Sequence, residues 1–170
     1  MSFPYCDIQD ILDKAQAKQE VPFILLLDNI EDPRNFGAIA RTAEAVGVHG
    51  IIIPKRRSVS VTETVEKTST GAINLILVAQ VGNINEAIKK LKVENICVTG
   101  LEADGDQDFK SVDYKMPTAL VIGSEGNGLS RLTRENCDHV VSIPMRGEIN
   151  SLNASVAAAV AMYEILRQRG

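Results

Sequence analysis

The sequence predicts an α/β fold, a parallel sheet covered by helices on both faces. Two observations carry this. Several short runs are apolar at every position, as strands buried on both faces must be. Stretches with helical periodicity lie between those runs, as the crossovers of a parallel sheet require. The chain has 170 residues, 45% hydrophobic and 24% charged. That suits one domain able to bury a core without disulfides or metal. Trp is absent and aromatic residues make up only 4%, so the core must rest on Ile, Leu, Val and Ala.

The elements follow in chain order. Asp7, Ile8, Ile11, Leu12 and Ala15 outline a short amphipathic helix, and residues 1–20 read as a linker-like segment ahead of a domain at 21–170. Phe23–Asp28 is a buried strand, followed by a helix from about Asn35 to Val46 and a strand at Gly50–Pro54. Ile73 to Ala79 reads as a third strand. Ile84, Ala87, Ile88 and Leu91 form a helical stripe within 83–91. Strands follow at Ile96–Gly100, Thr118–Gly123 and His139–Pro144. A long helix from about Ser151 to Arg167 ends the chain. Its alanines sit among Val156, Val160, Met162 and Ile165, so it is apolar nearly all round. Such a helix is buried on more than one side, at a subunit interface or at the centre of a monomer.

Composition narrows the function. The formal net charge of −4 argues mildly against a nucleic-acid partner, because phosphate binding needs Lys and Arg. Lys55, Arg56 and Arg57 nevertheless form a basic cluster, and Glu102, Asp104, Asp106 and Asp108 an acidic one. Runs of this kind are usually solvated loops. Cys6, Cys97 and Cys137 are odd in number and widely spaced, the pattern of reduced thiols in a cytoplasmic protein. No run reaches the roughly 18 apolar residues of a membrane helix, and no signal-peptide pattern opens the chain. Scattered Cys and His residues argue against zinc or another metal. Cys137-Asp138-His139 invites a catalytic reading, but no recognisable triad surrounds it.

Ligands of open parallel sheets bind beyond the carboxyl ends of the strands. Three loops there have unusual chemistry: 28–35, 123–128 and 144–153. Gly123-Ser-Glu-Gly-Asn-Gly128 follows a strand and precedes a helix. Its glycines allow close backbone approach, but their order is neither GxGxxG nor a P-loop. Glu125 within it either orients a cation or is a solvated turn residue. Arg34 and Arg41, seven apart, share a helix face, and Gly37 between them weakens the helix, which suggests close approach of a neighbour. An exposed pair of Arg41 with Glu44 is the plain alternative. Asn150 or Ser151 could cap the last helix, yet a cap does not require all the polar residues of 150–155.

These loops resemble the three motifs of the SpoU (TrmH) family of RNA methyltransferases, within the SPOUT superfamily. Residues 28–43, from Asp28 through Arg34-Asn35-Phe36-Gly37 to Arg41, are similar to motif 1. Residues 119–130, with Gly123-Ser-Glu-Gly-Asn-Gly128, are similar to motif 2, and Ile143-Pro-Met145 with Ser151-Leu-Asn-Ala-Ser-Val-Ala157 to motif 3. The resemblance runs from about Pro22 to the C-terminus, and three ordered motifs are far more specific than one Gly-rich loop.

The resemblance implies a parallel α/β domain with a deep C-terminal trefoil knot, which no periodicity argument would propose. It implies a homodimer through the knot and the last helix, without metal or membrane. It implies S-adenosylmethionine as cofactor, with contacts at Thr99, Gly100, Gly123, Gly126, Ile143, Met145, Leu152 and Ala157. The implied reaction is methyl transfer to a ribose 2′-hydroxyl of RNA, closest to members acting on ribosomal RNA at guanosine, with transfer RNA the alternative substrate. Asn35, Arg41, Glu125, Ser151 and Asn153 would surround the reacting hydroxyl, and Glu125 would orient Arg41 or hold Asn35. The resemblance also implies Arg41 as a candidate base; because guanidinium groups stay protonated in proteins, Arg41 is assigned to binding and polarising the ribose and phosphate, with a proton-shuttle role only in an unusual environment. Arg34, Lys55, Arg56 and Arg57 are the candidate RNA contacts. The N-terminal segment resembles the end of a linker from a preceding RNA-binding domain, so an isolated catalytic domain is expected. Two other classes compete. A nicotinamide dehydrogenase would show GxGxxG after the first strand, where this chain reads 28–37 instead. A non-catalytic RNA-binding module would not need all five polar motif residues.

Overall fold

In the computed structural model, residues 3–56 and 60–170 are described. The sheet is built from β1 (Phe23–Asp28), β2 (Gly50–Pro54), β3 (Leu77–Val81), β4 (Cys97–Leu101), β5 (Gln107–Asp108), β6 (Thr118–Gly123) and β7 (His139–Ser142). Their order is β3-β2-β1-β6-β4-β7-β5, and every pairing is parallel. β1, β2 and β6 are buried at every residue, as strands covered on both faces should be.

Alternation of side chains divides the apolar residues between two cores. Leu25, Leu27, Ile51, Ile53, Leu120 and Ile122 face α2 (Pro33–Val46) and α6 (Ala154–Arg169). Ile24, Leu26, Ile52, Ala119 and Val121 face α1 (Ile8–Ala17) and α4 (Ile84–Val93). Two shorter helices, α3 (Glu63–Thr68) and α5 (Arg131–Asn136), complete the set. α1 is integral to the second core: Ile11 is fully buried, and Cys6 N–H bonds Val78 O at 2.9 Å.

α2 begins where the sequence lets it. Asp32 accepts from Arg34 N–H at 2.8 Å and Pro33 occupies the first turn, while Gly47 ends the helix at φ +84°. Both termini follow the usual preferences for cap, N-terminal Pro and C-terminal Gly.

Three expectations are corrected, and one is met. The third strand starts at Leu77, because Ala72–Leu75 form a 3-10 turn whose Ile73 is buried like a strand residue. α6 starts at Ala154 and is capped by Asn153, not by Asn150 or Ser151. α6 is also not buried all round. Ala158, Ala161, Met162 and Ile165 face the core, while Val156, Val160, Tyr163 and Leu166 are exposed, so it is no central helix. Lastly, the neighbour that approaches Gly37 is Thr68 of α3, whose hydroxyl a Cβ there would overlap.

Among the described residues, no helix is long and apolar enough to cross a membrane, and no group of three or more His, Cys, Asp or Glu could hold a metal.

Candidate active site

Because the strands are parallel, the loops leaving β1, β4, β6 and β7 emerge at one end of the sheet. A cavity of about 350 Å³ opens there, bounded by residues 101–104 after β4, 122–128 from β6, and the segment 143–152 that leads into α6. That volume lies within the range of small-molecule pockets.

The Gly-rich loop is a closed loop. Ser124 N–H bonds Gly128 O at 3.0 Å, and Gly128 N–H returns to Ser124 O at 3.1 Å. A Cβ at Gly123 would overlap the backbone of Gly128, which itself sits at φ +65°. Glycine at these two positions is what lets the neck close. Gly126 at the tip faces open space, so no side chain covers its own backbone.

The loop tip reaches α2. Glu125 Oε1 accepts from Asn35 Nδ2 at 3.2 Å and from Asp32 N–H at 3.3 Å. Asn35 is buried on α2, while Glu125 is exposed. Arg41 is exposed further along α2; among the described residues, no hydrogen bond or ion pair joins it to Glu125 or Glu44. Of the two roles suggested for Glu125, the geometry therefore shows the hold on Asn35.

Ser151 lines the cavity beside Asn150 and Leu152. Asn153 Oδ1 accepts from Ser155 N–H at 2.9 Å and Val156 N–H at 3.3 Å. Its side-chain oxygen is thus engaged as the helix cap, which leaves Asn150 and Ser151 facing the cavity. Gly123, Gly126, Ile143, Met145, Leu152 and Ala157 all line it.

Thr99 and Gly100 do not line the cavity. Thr99 is fully buried within β4, and a Cβ on Gly100 would lie 2.6 Å from Leu129 Cδ1 and 2.9 Å from Cys137 Sγ. Both face protein. The strand delivers its cavity-lining residues from Leu101 onward, and Leu101 to Asp104 line the cavity.

Those residues include the start of the acidic run, which charge pattern alone assigns to solvent. Asp104 fits that reading: exposed, it holds Arg134 at 2.6 Å, and the guanidinium keeps its carboxyl below the usual range. Glu102 does not. Its side chain is only 13% exposed, and burial pushes its carboxyl up, opposed by Leu129 N–H and Arg134.

Arg34, Lys55 and Arg56 are exposed at the same end of the sheet. Arg34 Nε lies 3.6 Å from Asp32, a pair too exposed to immobilise it. Arg57 lies outside the described residues. Cys137 Sγ donates to Thr133 O at 3.2 Å, and burial pushes the thiol up to about 12, the environment of a structural rather than a nucleophilic cysteine.

The profile of the SpoU rRNA Methylase family matches residues 22–163. The TrmH family protein YacO of Bacillus subtilis (strain 168) is 51% identical over 168 residues, covering 99% of this chain and 68% of its own length. Among solved structures, the SpoU methyltransferase AviRb from Streptomyces viridochromogenes, in complex with the cofactor AdoMet, superposes with a TM-score of 0.88 at 34% identity, covering 98% of this chain and 66% of that one. An RNA 2′-O ribose methyltransferase superposes with a TM-score of 0.78 at 27% identity, covering 98% and 60%. The chain thus spans less than two thirds of those two solved chains.

Proposed function

This chain belongs to the SpoU rRNA Methylase family, and from that premise we propose that it transfers a methyl group from S-adenosylmethionine to a ribose 2′-hydroxyl of ribosomal RNA, at guanosine. The observation that carries the reading is the junction of two features. A cavity lined by the Gly-rich loop meets, through Glu125 of that loop, the buried Asn35 that Glu125 holds.

The cavity's chemistry fits the cofactor. Ile122, Ile143, Leu152 and Ala157 offer apolar contact for a purine, and the backbone of 124–128 offers hydrogen-bonding groups to its polar parts. When bound, the cofactor supplies an electrophilic methyl carbon on a sulfonium. The chain's own residues do the positioning. Asn35, with Nδ2 committed to Glu125, has its amide oxygen fixed in direction, ready to accept from a ribose hydroxyl. Ser151 presents a second hydroxyl at the cavity rim. Arg41 holds and polarises the ribose and phosphate, because guanidinium donates hydrogen bonds and does not abstract protons. Orientation of this kind supplies much of the rate of a two-substrate transfer.

The proposal extends to assembly and context. Val156, Val160, Tyr163 and Leu166 form an exposed apolar stripe on α6, which supports a homodimer through that helix. Residues 143–157 lie beside the 122–128 loop, which supports a C-terminal trefoil knot. Arg34, Lys55 and Arg56 are the proposed RNA contacts, and the cytoplasm the proposed location.

Calorimetry with S-adenosylmethionine and with NAD, followed by transfer of labelled methyl to ribosomal and transfer RNA, tests the reading. Nuclease digestion and mass spectrometry then locate the methyl. Binding of S-adenosylmethionine and a 2′-O-methylguanosine in ribosomal RNA are expected. Binding of NAD alone, or methylation on a base, overturns it.

A further inference from the structure

We infer that Asp28 and Glu102 are positioning residues that stake the Gly123–Ser130 loop from both sides and so hold the cavity wall in shape. This rests on the cofactor reading above.

The sheet order places β6 between β1 and β4. Asp28 ends β1 and pairs in register with Gly123; Leu101 ends β4 and pairs with Ile122. The carboxylates of Asp28 and Glu102 therefore flank the point where the chain leaves β6. The loop returns to that same point. There, Leu129 N–H donates to both oxygens of Glu102, at 3.1 and 3.3 Å, and Ser130 N–H donates to Asp28 Oδ2 at 2.9 Å. Two successive backbone donors are thus held by carboxylates from two different strands. Gly128 makes room for this, since a Cβ there would overlap Glu102.

A plain ion-pair role does not account for Glu102. Arg134 lies 3.6 Å from it but makes its shorter contact, 2.6 Å, with Asp104. The groups facing Glu102 are Leu129 N–H, Arg134, Asp104 and, across the neck, Asp28. A carboxylate set mainly against a backbone donor is costly to bury, and burial holds its carboxyl above the usual range. What the arrangement secures is the loop. Beyond the neck, its tip is tied to α2 through Glu125.

The test uses the whole chain and S-adenosylhomocysteine as probe. Dissociation constants, thermal midpoints and amide hydrogen exchange of the ligand-free protein are measured for wild type, Glu102→Ala and Glu102→Gln. Glu102→Ala is expected to weaken binding about tenfold or more and to speed exchange at 124–130, with β1 and β6 interior amides unchanged. Glu102→Gln keeps an acceptor oxygen toward Leu129 and should fall between the two. If Glu102→Ala fails to fold, Glu102→Gln decides: threefold or greater weakening with faster loop exchange supports the role, and unchanged values overturn it. Binding by Glu102→Ala within twofold of wild type overturns it as well. A wild type that binds no S-adenosylhomocysteine overturns the cofactor reading instead.

Discussion

Glu125 accepts a hydrogen bond from Asn35 at 3.2 Å, joining the tip of the Gly-rich loop to the first turns of α2. In the proposed reading the contact links the cofactor wall to the substrate side, so the two residues should act as a unit. Asn35→Ala and Glu125→Ala are each expected to slow single-turnover methyl transfer by roughly 10- to 100-fold, the scale of a lost positioning contact. The double variant should be no more than about threefold worse than the worse single one, because the second change removes a partner already idle. Multiplicative losses would show independent roles.

Arg41 stands on the exposed face of α2 and is not among the residues lining the cavity. Arg41→Ala should therefore leave the dissociation constant for S-adenosylmethionine within about twofold while abolishing measurable transfer. Arg41→Lys should restore little, since an ammonium lacks the planar fork of guanidinium. Calorimetry alongside a methylation assay reads both. Loss of cofactor binding with the fold intact would contradict this division of labour.

How much of this was legible in the sequence follows from what each residue touches. Strands buried on both faces leave an unbroken apolar run, so β1, β2 and β6 stand at Phe23–Asp28, Gly50–Pro54 and Thr118–Gly123 as read. Ile73 looks like a strand residue in the sequence because a buried 3-10 residue is apolar for the same reason a strand residue is. Cavity residues carried by glycine or backbone, such as Gly123 and Gly126, could be named by motif, whereas Thr99 and Gly100 could not be separated from Leu101 and Glu102 without knowing where β4 ends. Glu102 was hidden in an acidic run, because charge pattern does not reveal which carboxylate is turned inward. The partner of Asn35 lies 90 residues away, and only motif order hinted at it.

The far end of the sheet carries a pH-sensitive contact. Phe23 N–H donates to His49 Nδ1 at 3.0 Å, so Nε2 holds the proton and donates to Glu20 at 3.0 Å. Burial pushes His49 below its ordinary 6.5, and the bond from His49 pulls Glu20 below its ordinary 4.5. The unfolded chain therefore takes up protons more readily than the folded one. The contribution is complete above about pH 6.5, declines as pH falls through the lowered value of His49, and declines further as Glu20 protonates. Thermal midpoints between pH 8 and 4.5 should drop for wild type, and less for His49→Asn, whose oxygen still accepts from Phe23 but does not titrate. Parallel curves would remove His49 from the account.

The proposed dimer rests on the exposed stripe of α6. Val160 lies at its middle and is 38% exposed, between Val156 at 49% and Tyr163 at 53%. Val160→Glu places a charge in the proposed dimer contact, where an unpaired carboxylate is strongly unfavourable, yet it leaves the buried face untouched. Sedimentation at micromolar concentration should show a dimer for wild type and a species near 18.4 kDa for the variant. An 18.4 kDa wild type would remove the dimer.

RNA binding should be weak and steep in salt. The formal net charge is −4, so attraction to phosphate must come from local cations rather than from the whole molecule. Arg34, Lys55 and Arg56 are exposed at the end of the sheet where the cavity opens. Arg34 is 80% exposed at its side chain, and its Asp32 neighbour at 3.6 Å is itself partly solvated, so release from that pair costs little. Each phosphate neutralised adds roughly 0.9 to the slope of log affinity against log salt on duplex, and about 0.7 on single strands. Replacing Arg34, Lys55 or Arg56 by Ala should each lower the measured slope by about one such step and weaken binding uniformly across RNA sequences. Control changes at Lys18 or Lys115, exposed ahead of β1 and β6 at the opposite end of the sheet, should leave the slope unchanged. Fluorescence titrations at several salt concentrations supply the slopes. Slopes unmoved by all three substitutions would place the RNA-binding surface elsewhere on the protein.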